Sequence, residues 1–125
     1  MNIIILGPPG SGKGTQSKLI EKKWEIAQLS TGDMLRTNIQ LGTELGRKAE
    51  KIIDYGELVS NKIILDMISN RINESDCSKG FILDGFPRNI EQAKSLDIML
   101  LDKNQQIDVV IELKVNTNEL FKRIE

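Results

Sequence analysis

The 125-residue chain has no histidine and one cysteine, Cys77, and these two shortages exclude several kinds of chemistry. Without histidine there is no Ser-His-Asp or Cys-His nucleophile, no His-ligated zinc and no histidine general base. One cysteine excludes an internal disulfide and a cysteine zinc cluster, and predicts a reducing, cytoplasmic location. An enzyme with this sequence must therefore use carboxylates, lysine, arginine, backbone amides or a bound metal ion.

Long hydrophobic runs and a strong net charge are absent too. No apolar run is longer than the four residues from Ile3 to Leu6, whereas a membrane-spanning helix needs about 20 residues. No basic signal-peptide region follows Met1. The formal net charge is −1, from 17 Lys and Arg against 18 Asp and Glu, which is no electrostatic footprint for DNA or RNA. We therefore expect one globular domain with neither membrane nor nucleic acid as partner, and a monomer as the default.

Short apolar runs alternate with amphipathic stretches along the chain, a pattern typical of βαβ units and a parallel sheet. Strands are predicted over residues 2–6, 26–29, 81–84 and 109–115. Helices are predicted over residues 13–23, after Ser30, over 43–55, after Ser60 or Asn61, over 90–101 and after Asn116. The prediction is a three-layer α/β domain. Leu19 and Ile20 are expected on the inner face of the first helix, and Cys77 in a polar loop over 74–80.

A glycine-rich loop with a lysine follows the first predicted strand directly. Residues 7–15 read GPPGSGKGT, which has the GxxxxGK spacing of a phosphate-binding loop between a strand and a helix. Glycines allow successive backbone N–H groups to surround an anion, and the helix that follows adds its N-terminal dipole. Lys13 adds a mobile positive charge. The loop predicts binding of nucleotide phosphates.

One position departs from the general motif. Gly14 stands where Ser or Thr usually contacts magnesium, and Thr15 comes one residue later. This difference disfavours a generic ATPase. A GTPase is disfavoured as well, because no NKxD-type base-reading motif is present.

Two further segments complete a recognisable set. Residues 29–36 read LSTGDMLR and residues 83–88 read LDGFPR, in this order after the phosphate loop. Together the three segments resemble the adenylate kinases of the nucleoside monophosphate kinase family. The resemblance implies a parallel-sheet P-loop core over residues 1–125 with a small helical NMP-binding subdomain over 30–59. It covers only the N-terminal part of that family, so a lid and a C-terminal segment are expected to lie beyond the last residue.

The resemblance also implies roles for individual residues. ATP is expected to contact Gly10, Ser11, Gly12, Lys13, Gly14, Thr15 and Arg123. AMP is expected to contact Thr31, Arg36, Glu57, Leu58, Val59, Gly85, Arg88 and Gln92. The expected catalytic residues are Lys13, Arg36, Arg88 and Arg123, since phosphoryl transfer needs positioning and cations more than a nucleophile.

Carboxylates are available for a magnesium ion. Asp84 ends a predicted buried strand, in the position of a Walker-B-like carboxylate that holds Mg²⁺ through water, although it could also cap a turn. Asp33 could assist the metal, but the sequence Ser30-Thr31-Gly32-Asp33 is equally suited to begin a helix.

The resemblance implies the transfer of a phosphoryl group from ATP to AMP, giving two ADP, with Mg²⁺ as the cofactor. Thr31 and Gln92 favour adenine, whereas Asn89 matches the pyrimidine-specific relatives, so a UMP/CMP kinase is an alternative. A second alternative is a truncated core that binds nucleotides but turns over poorly, because an absent lid leaves water in the site. A different small-molecule kinase is disfavoured by the segments that carry Arg36 and Arg88.

Overall fold

The computed structural model describes residues 1–8 and 10–114. In these residues one parallel sheet contains β1 (Asn2–Leu6), β2 (Ala27–Ser30), β3 (Phe81–Asp84) and β4 (Val109–Glu112) in the order β2-β3-β1-β4. Asp84 lies in register with both Ile5 and Ser30. The carboxyl ends of β1, β2 and β3 therefore lie side by side, and ligands of parallel α/β sheets bind at this edge.

The helices of the described residues are α1 (Lys13–Trp24), α2 (Thr31–Leu41), α3 (Glu44–Asp54), α4 (Asn61–Ile72) and α5 (Ile90–Asp102), with a short 3₁₀ helix at Ser75–Cys77. Four of the helices begin at a polar N-cap whose side chain accepts a backbone N–H: Ser30, Thr43, Ser60 and Asn89. The predicted cap at Ser30 is confirmed, and of the two residues predicted before α4 it is Ser60 that caps.

Side chains from the two faces of the sheet enter two separate apolar clusters. On one face Ile3, Ile5 and Ile82 pack with Ile20 of α1. On the other face the strands pack against α4 and α5 through residues that include Ile4, Phe81, Leu83, Ile68, Ile72, Leu96 and Leu100. The alternation along each strand follows from its two-residue period. Helices cover both faces, which confirms the three-layer α/β prediction.

One prediction of burial was wrong. Leu19 is 59% exposed, because the inner stripe of α1 contains Ile20 and the fully buried Ser17 instead. Cys77 lies in the predicted connection between α4 and β3, but its side chain is buried in the cluster under α4 and α5. The polar neighbours of Cys77 in the sequence gave no sign of this burial. Strand β2 is shifted by one residue from its predicted bounds. Strand β4 ends at Glu112, and the predicted helix after Asn116 lies outside the described residues.

Within the described ranges, the model has no helix with the length and apolar character needed to cross a membrane.

Candidate active site

The glycine-rich loop connects the end of β1 to the first turn of α1, as the sequence predicts. Gly10 and Gly12 have φ angles of 84° and 85°, a left-handed region that side-chain-bearing residues rarely adopt. Gly12 is also the N-cap of α1, and among the described residues no side chain caps the backbone N–H groups that begin this helix. Such free N–H groups, together with the helix dipole, form an anion-binding site.

Close packing at the base of the loop explains another glycine. A Cβ atom at Gly7 would lie 2.6 Å from Ser11 Oγ and 3.2 Å from the backbone oxygen of Leu113. The Ser11 hydroxyl is buried and has no hydrogen-bond partner among the described residues. A buried hydroxyl without a hydrogen-bond partner costs free energy, so the Ser11 hydroxyl is available to bond a polar group of a ligand.

Lys13 and Asp84 meet at the carboxyl edge of the sheet. Lys13 Nζ lies 2.6 Å from Asp84 Oδ1, and the side chains are 28% and 16% exposed. The register that aligns Asp84 with Ile5 brings β3 to the start of the phosphate loop. A lysine on a flexible stem can leave this carboxylate for a phosphate, which then releases the carboxylate for another cation.

A second cavity, of about 250 Å³, opens beside the end of β3. Five of the residues predicted to contact AMP line it: Thr31, Val59, Gly85, Arg88 and Gln92. They come from α2, from the segment before α4, from the connection between β3 and α5, and from α5 itself. The structure thus brings together residues that are far apart in the sequence.

Gly85 shapes this cavity through its backbone. Its φ angle is 88°, and a Cβ atom there would lie 2.9 Å from Thr31 Oγ1. The carbonyl oxygen of Gly85 accepts a hydrogen bond of 2.9 Å from Arg88 Nε. This bond holds the guanidinium at the cavity and leaves its two terminal nitrogens to other partners.

Gln92 is the centre of a small hydrogen-bond network. Its backbone N donates to Asn89 Oδ1 at 2.8 Å, its Oε1 accepts from the Arg88 backbone N at 2.7 Å, and its Nε2 donates to Asn61 Oδ1 at 2.7 Å. Asn61 also lines the cavity, whereas the sequence indicates only a candidate helix cap at this position. Neither a motif nor local periodicity could have revealed it, because its partner belongs to another helix.

Other predicted AMP contacts lie outside this cavity. Arg36 forms an ion pair with Asp33, and both side chains are largely exposed. Leu58 is 95% exposed, and Glu57 is exposed as well. Asp33 lines a different cavity, on the side of α2 that faces Met67 and Asn70. The structure therefore does not bring Arg36, Glu57, Leu58 or Asp33 into the cavity of Arg88, and Arg123 lies outside the described residues.

The donor set at Asp84 fits a magnesium ion that arrives with a nucleotide. The described residues contain no group of three acidic, cysteine or histidine side chains that could hold a metal. Mg²⁺ commonly uses only one or two carboxylates, completed by water and substrate phosphates. Asp84, partly buried next to the phosphate loop, supplies one such carboxylate.

The single cysteine, Cys77, does not lie in this site. Burial raises the pKa of the Cys77 thiol to about 11, which leaves it protonated and unreactive at neutral pH. Neighbouring Asp76 is ion-paired with Arg71, and this hydrogen bond lowers the pKa of the Asp76 carboxyl. The ion pair of Arg71 and Asp76 stabilises the turn between α4 and β3.

A parallel sheet with a glycine-rich loop and a lysine–aspartate pair at its carboxyl edge defines a P-loop nucleotide-binding protein. The family model described as adenylate kinase matches residues 5–125. Adenylate kinases from Rhizobium meliloti and Bartonella quintana are 52% and 54% identical to the chain over all its 125 residues. An adenylate kinase from Archaeoglobus fulgidus is 52% identical over 124 residues, or 99% of the chain.

The chain belongs to the adenylate kinase family, and the resemblance seen in its three motifs is confirmed. It spans 65% of the length of the Rhizobium and Bartonella relatives and 57% of the Archaeoglobus relative.

Proposed function

We propose that the protein transfers the γ-phosphoryl group of ATP to AMP and so forms two ADP. The proposal rests on one observation: the phosphate loop with Lys13 and the cavity with Arg88 are neighbours. Each site contacts one of two consecutive residues, Asp84 at the end of β3 and Gly85 in the turn that follows. Asp84 contacts Lys13 of the phosphate loop, and Gly85 contacts Arg88 of the second cavity. Two phosphate-bearing ligands bound there would meet at the end of β3, as a direct transfer requires.

In the proposed mechanism the phosphate loop binds the ATP phosphates through the backbone N–H groups at the start of α1. Lys13 leaves Asp84 and follows the transferred phosphoryl group, whose charge increases the demand for nearby cations in the transition state. The orphan hydroxyl of Ser11 gains a partner in the same step. Gly10, Gly12, Gly14 and Thr15 contribute backbone to this loop.

Asp84, once released by Lys13, is the residue that would hold magnesium. When bound, Mg²⁺ neutralises and orients the ATP phosphates. Asp33 can take part only if Arg36 releases it, since the two side chains are ion-paired. The same exchange would free Arg36 for the phosphate of AMP.

On the acceptor side, Arg88 is the proposed clamp for the AMP phosphate, because its guanidinium can form a bidentate contact with phosphate oxygens. Thr31, Val59, Gly85 and Gln92 surround the space proposed for the base. We propose residues 30–59 as the NMP-binding subdomain. Its movement would bring Arg36, Glu57 and Leu58 to the ligand.

Asn89 is the residue that matches the pyrimidine-specific relatives, and its position in the structure bears on that alternative. Its side chain caps α5 by accepting the backbone N–H of Gln92. Threonine can form the same kind of cap. Asn89 is therefore explained by the start of a helix, and AMP remains the proposed acceptor.

The direct test is ADP formation by the folded chain from ATP and Mg²⁺, with AMP, CMP, UMP or GMP as the acceptor. ADP formed with AMP alone supports the proposal, and the Lys13→Ala variant should then form none. Turnover with CMP or UMP in preference to AMP would contradict the choice of substrate.

A second candidate is a nucleotide-binding core without efficient turnover, and the chain's share of its relatives' length favours considering it. The same samples distinguish this candidate by calorimetry. AMP and ATP binding without ADP formation supports the binding core. A folded chain that binds neither nucleotide overturns both candidates. The monomeric state and the cytoplasmic location remain predictions from the sequence.

A further inference from the structure

The side-chain amide of Gln92 is held in one orientation by partners on both sides. Its Oε1 accepts from the Arg88 backbone N, and its Nε2 donates to Asn61 Oδ1, each at 2.7 Å. A backbone N–H can only donate, so the oxygen of the amide has to face Arg88. The amide nitrogen then faces Asn61, in the first turn of α4, and donates to its Oδ1.

This orientation determines what the amide still offers to a ligand. One lone pair on Oε1 and one N–H on Nε2 remain unused by the two bonds. Adenine presents an amino group beside an unprotonated ring nitrogen. The amino group can donate to Gln92 Oε1, and the ring nitrogen can accept from Gln92 Nε2. Hypoxanthine has nearly the same size but presents a carbonyl beside a ring N–H. Binding that reversed edge would require Gln92 to flip.

We infer that Asn61 is a specificity-determining positioning residue, which locks the Gln92 amide so that the cavity accepts AMP and rejects IMP. The inference rests on the proposed function, because it places the base of the monophosphate against Gln92. Asn61 and Gln92 line the same cavity, together with Thr31 and Gly85. A flip of Gln92 would break the bond to Arg88 and would also turn the amide oxygen towards Asn61 Oδ1.

Two substitutions at Asn61 distinguish the loss of a fixed Gln92 amide orientation from a general loss of structure. In Asn61→Leu no acceptor remains for Gln92 Nε2. In Asn61→Asp a carboxylate still accepts, and it cannot rotate to donate as an amide can. The matched control is Asn70→Leu, the same change on the same helix but away from the cavity of Gln92.

The experiment measures the dissociation constants of AMP and IMP by calorimetry on the full chain and its variants, with thermal melts to verify folding. We expect wild type to prefer AMP. Asn61→Leu should lower the AMP-over-IMP preference about three- to tenfold, the range that one neutral hydrogen bond provides. Asn61→Asp should keep or increase the preference, and Asn70→Leu should leave it unchanged.

Other outcomes overturn the inference. If Asn61→Leu weakens AMP and IMP equally, Asn61 supports the structure and does not select the base. If Asn61→Asp loses the preference for AMP as Asn61→Leu does, the hydrogen bond that residue 61 accepts from Gln92 does not determine that preference. Both results leave the proposed function intact, since AMP is still bound by wild type. A folded wild type that binds no AMP removes the AMP site itself and the inference with it.

Discussion

Lys13 Nζ lies 2.6 Å from Asp84 Oδ1, so the cation of the phosphate loop is neutralised by the carboxylate at the end of the neighbouring strand. The ion pair therefore holds Lys13 and Asp84 together at the carboxyl edge of the sheet. A polyphosphate carries several negative charges where Asp84 carries one, so it can displace the carboxylate from the lysine.

The first prediction concerns Lys13. Lys13→Ala should abolish phosphoryl transfer and weaken ATP binding by at least about tenfold, because the mobile charge at the phosphates is lost. The variant should still fold, with a free energy of unfolding lower by about 1 to 3 kcal/mol because Asp84 loses its partner. Calorimetry with ATP and a urea titration measure the two effects. Lys18→Ala, on the exposed side of the same helix, is the control, and an Lys13→Ala variant with normal turnover would refute the phosphate-loop role.

Arg88 provides the second prediction. Arg88→Ala should raise the AMP dissociation constant by about 10- to 100-fold, the range expected for hydrogen bonds to a charged group. In a turnover assay it should raise KM for AMP and lower kcat. Arg88→Lys should restore only part of the affinity, because lysine lacks the planar fork. The exposed Arg47 of α3 gives the control Arg47→Ala, and unchanged AMP binding by Arg88→Ala would make the clamp assignment wrong.

The third prediction tests how α2 and α3 pack within residues 30–59. A Cβ atom at Gly46 would lie 2.1 Å from the backbone oxygen of Asn38, and backbone cannot move aside as a side chain can. Gly46→Ala should therefore destabilise the fold by about 1 to 3 kcal/mol in chemical unfolding, despite the better helix propensity of alanine. At Gly14, also helical, a Cβ atom meets nothing within 4 Å. Gly14→Ala should keep or raise stability, and equal effects of the two variants would contradict the packing argument.

The fourth prediction is a pH dependence that originates at Cys77. Burial raises the pKa of this thiol to about 11, whereas an unfolded thiol titrates near about 8.5. Between these values the unfolded chain loses the proton and the folded chain keeps it, so stability falls as pH rises. The loss should reach about 1 to 2 kcal/mol by about pH 11.

The control for that prediction is Cys77→Ala, which removes the titrating group and keeps the other residues. Unfolding free energies of both proteins, measured from about pH 8 to about pH 11, should show a flatter dependence for the variant. Parallel curves would show that the thiol is accessible to water in the folded state.

Much of the fold follows from local patterns in the sequence. Short apolar runs bounded by glycine and polar residues predicted the strands to within a residue or two, except for the end of β4. Ser30 and Ser60 predicted helix starts because an N-cap depends on neighbours only three residues away. The phosphate loop was equally readable, since its function depends on one continuous segment and its flanking elements.

Burial was predicted less well where the signal was a single residue. Leu19 is exposed and Cys77 is buried, although their sequence neighbours indicated the reverse. A helix has one buried stripe whose exact rotation is set by the sheet it covers, and a short turn can direct one side chain inwards. Neither choice is encoded in the identity of the residue alone.

Most secondary-structure elements, the phosphate loop and membership of the adenylate kinase family could be read from the sequence, because each depends on residues that are close along the chain. Which side chains meet could be read only from the tertiary structure. The strand order β2-β3-β1-β4 places Asp84 beside Lys13, and the approach of α4 to α5 places Asn61 beside Gln92. Contacts of this kind join distant segments through the packing of whole elements, and no local pattern specifies them.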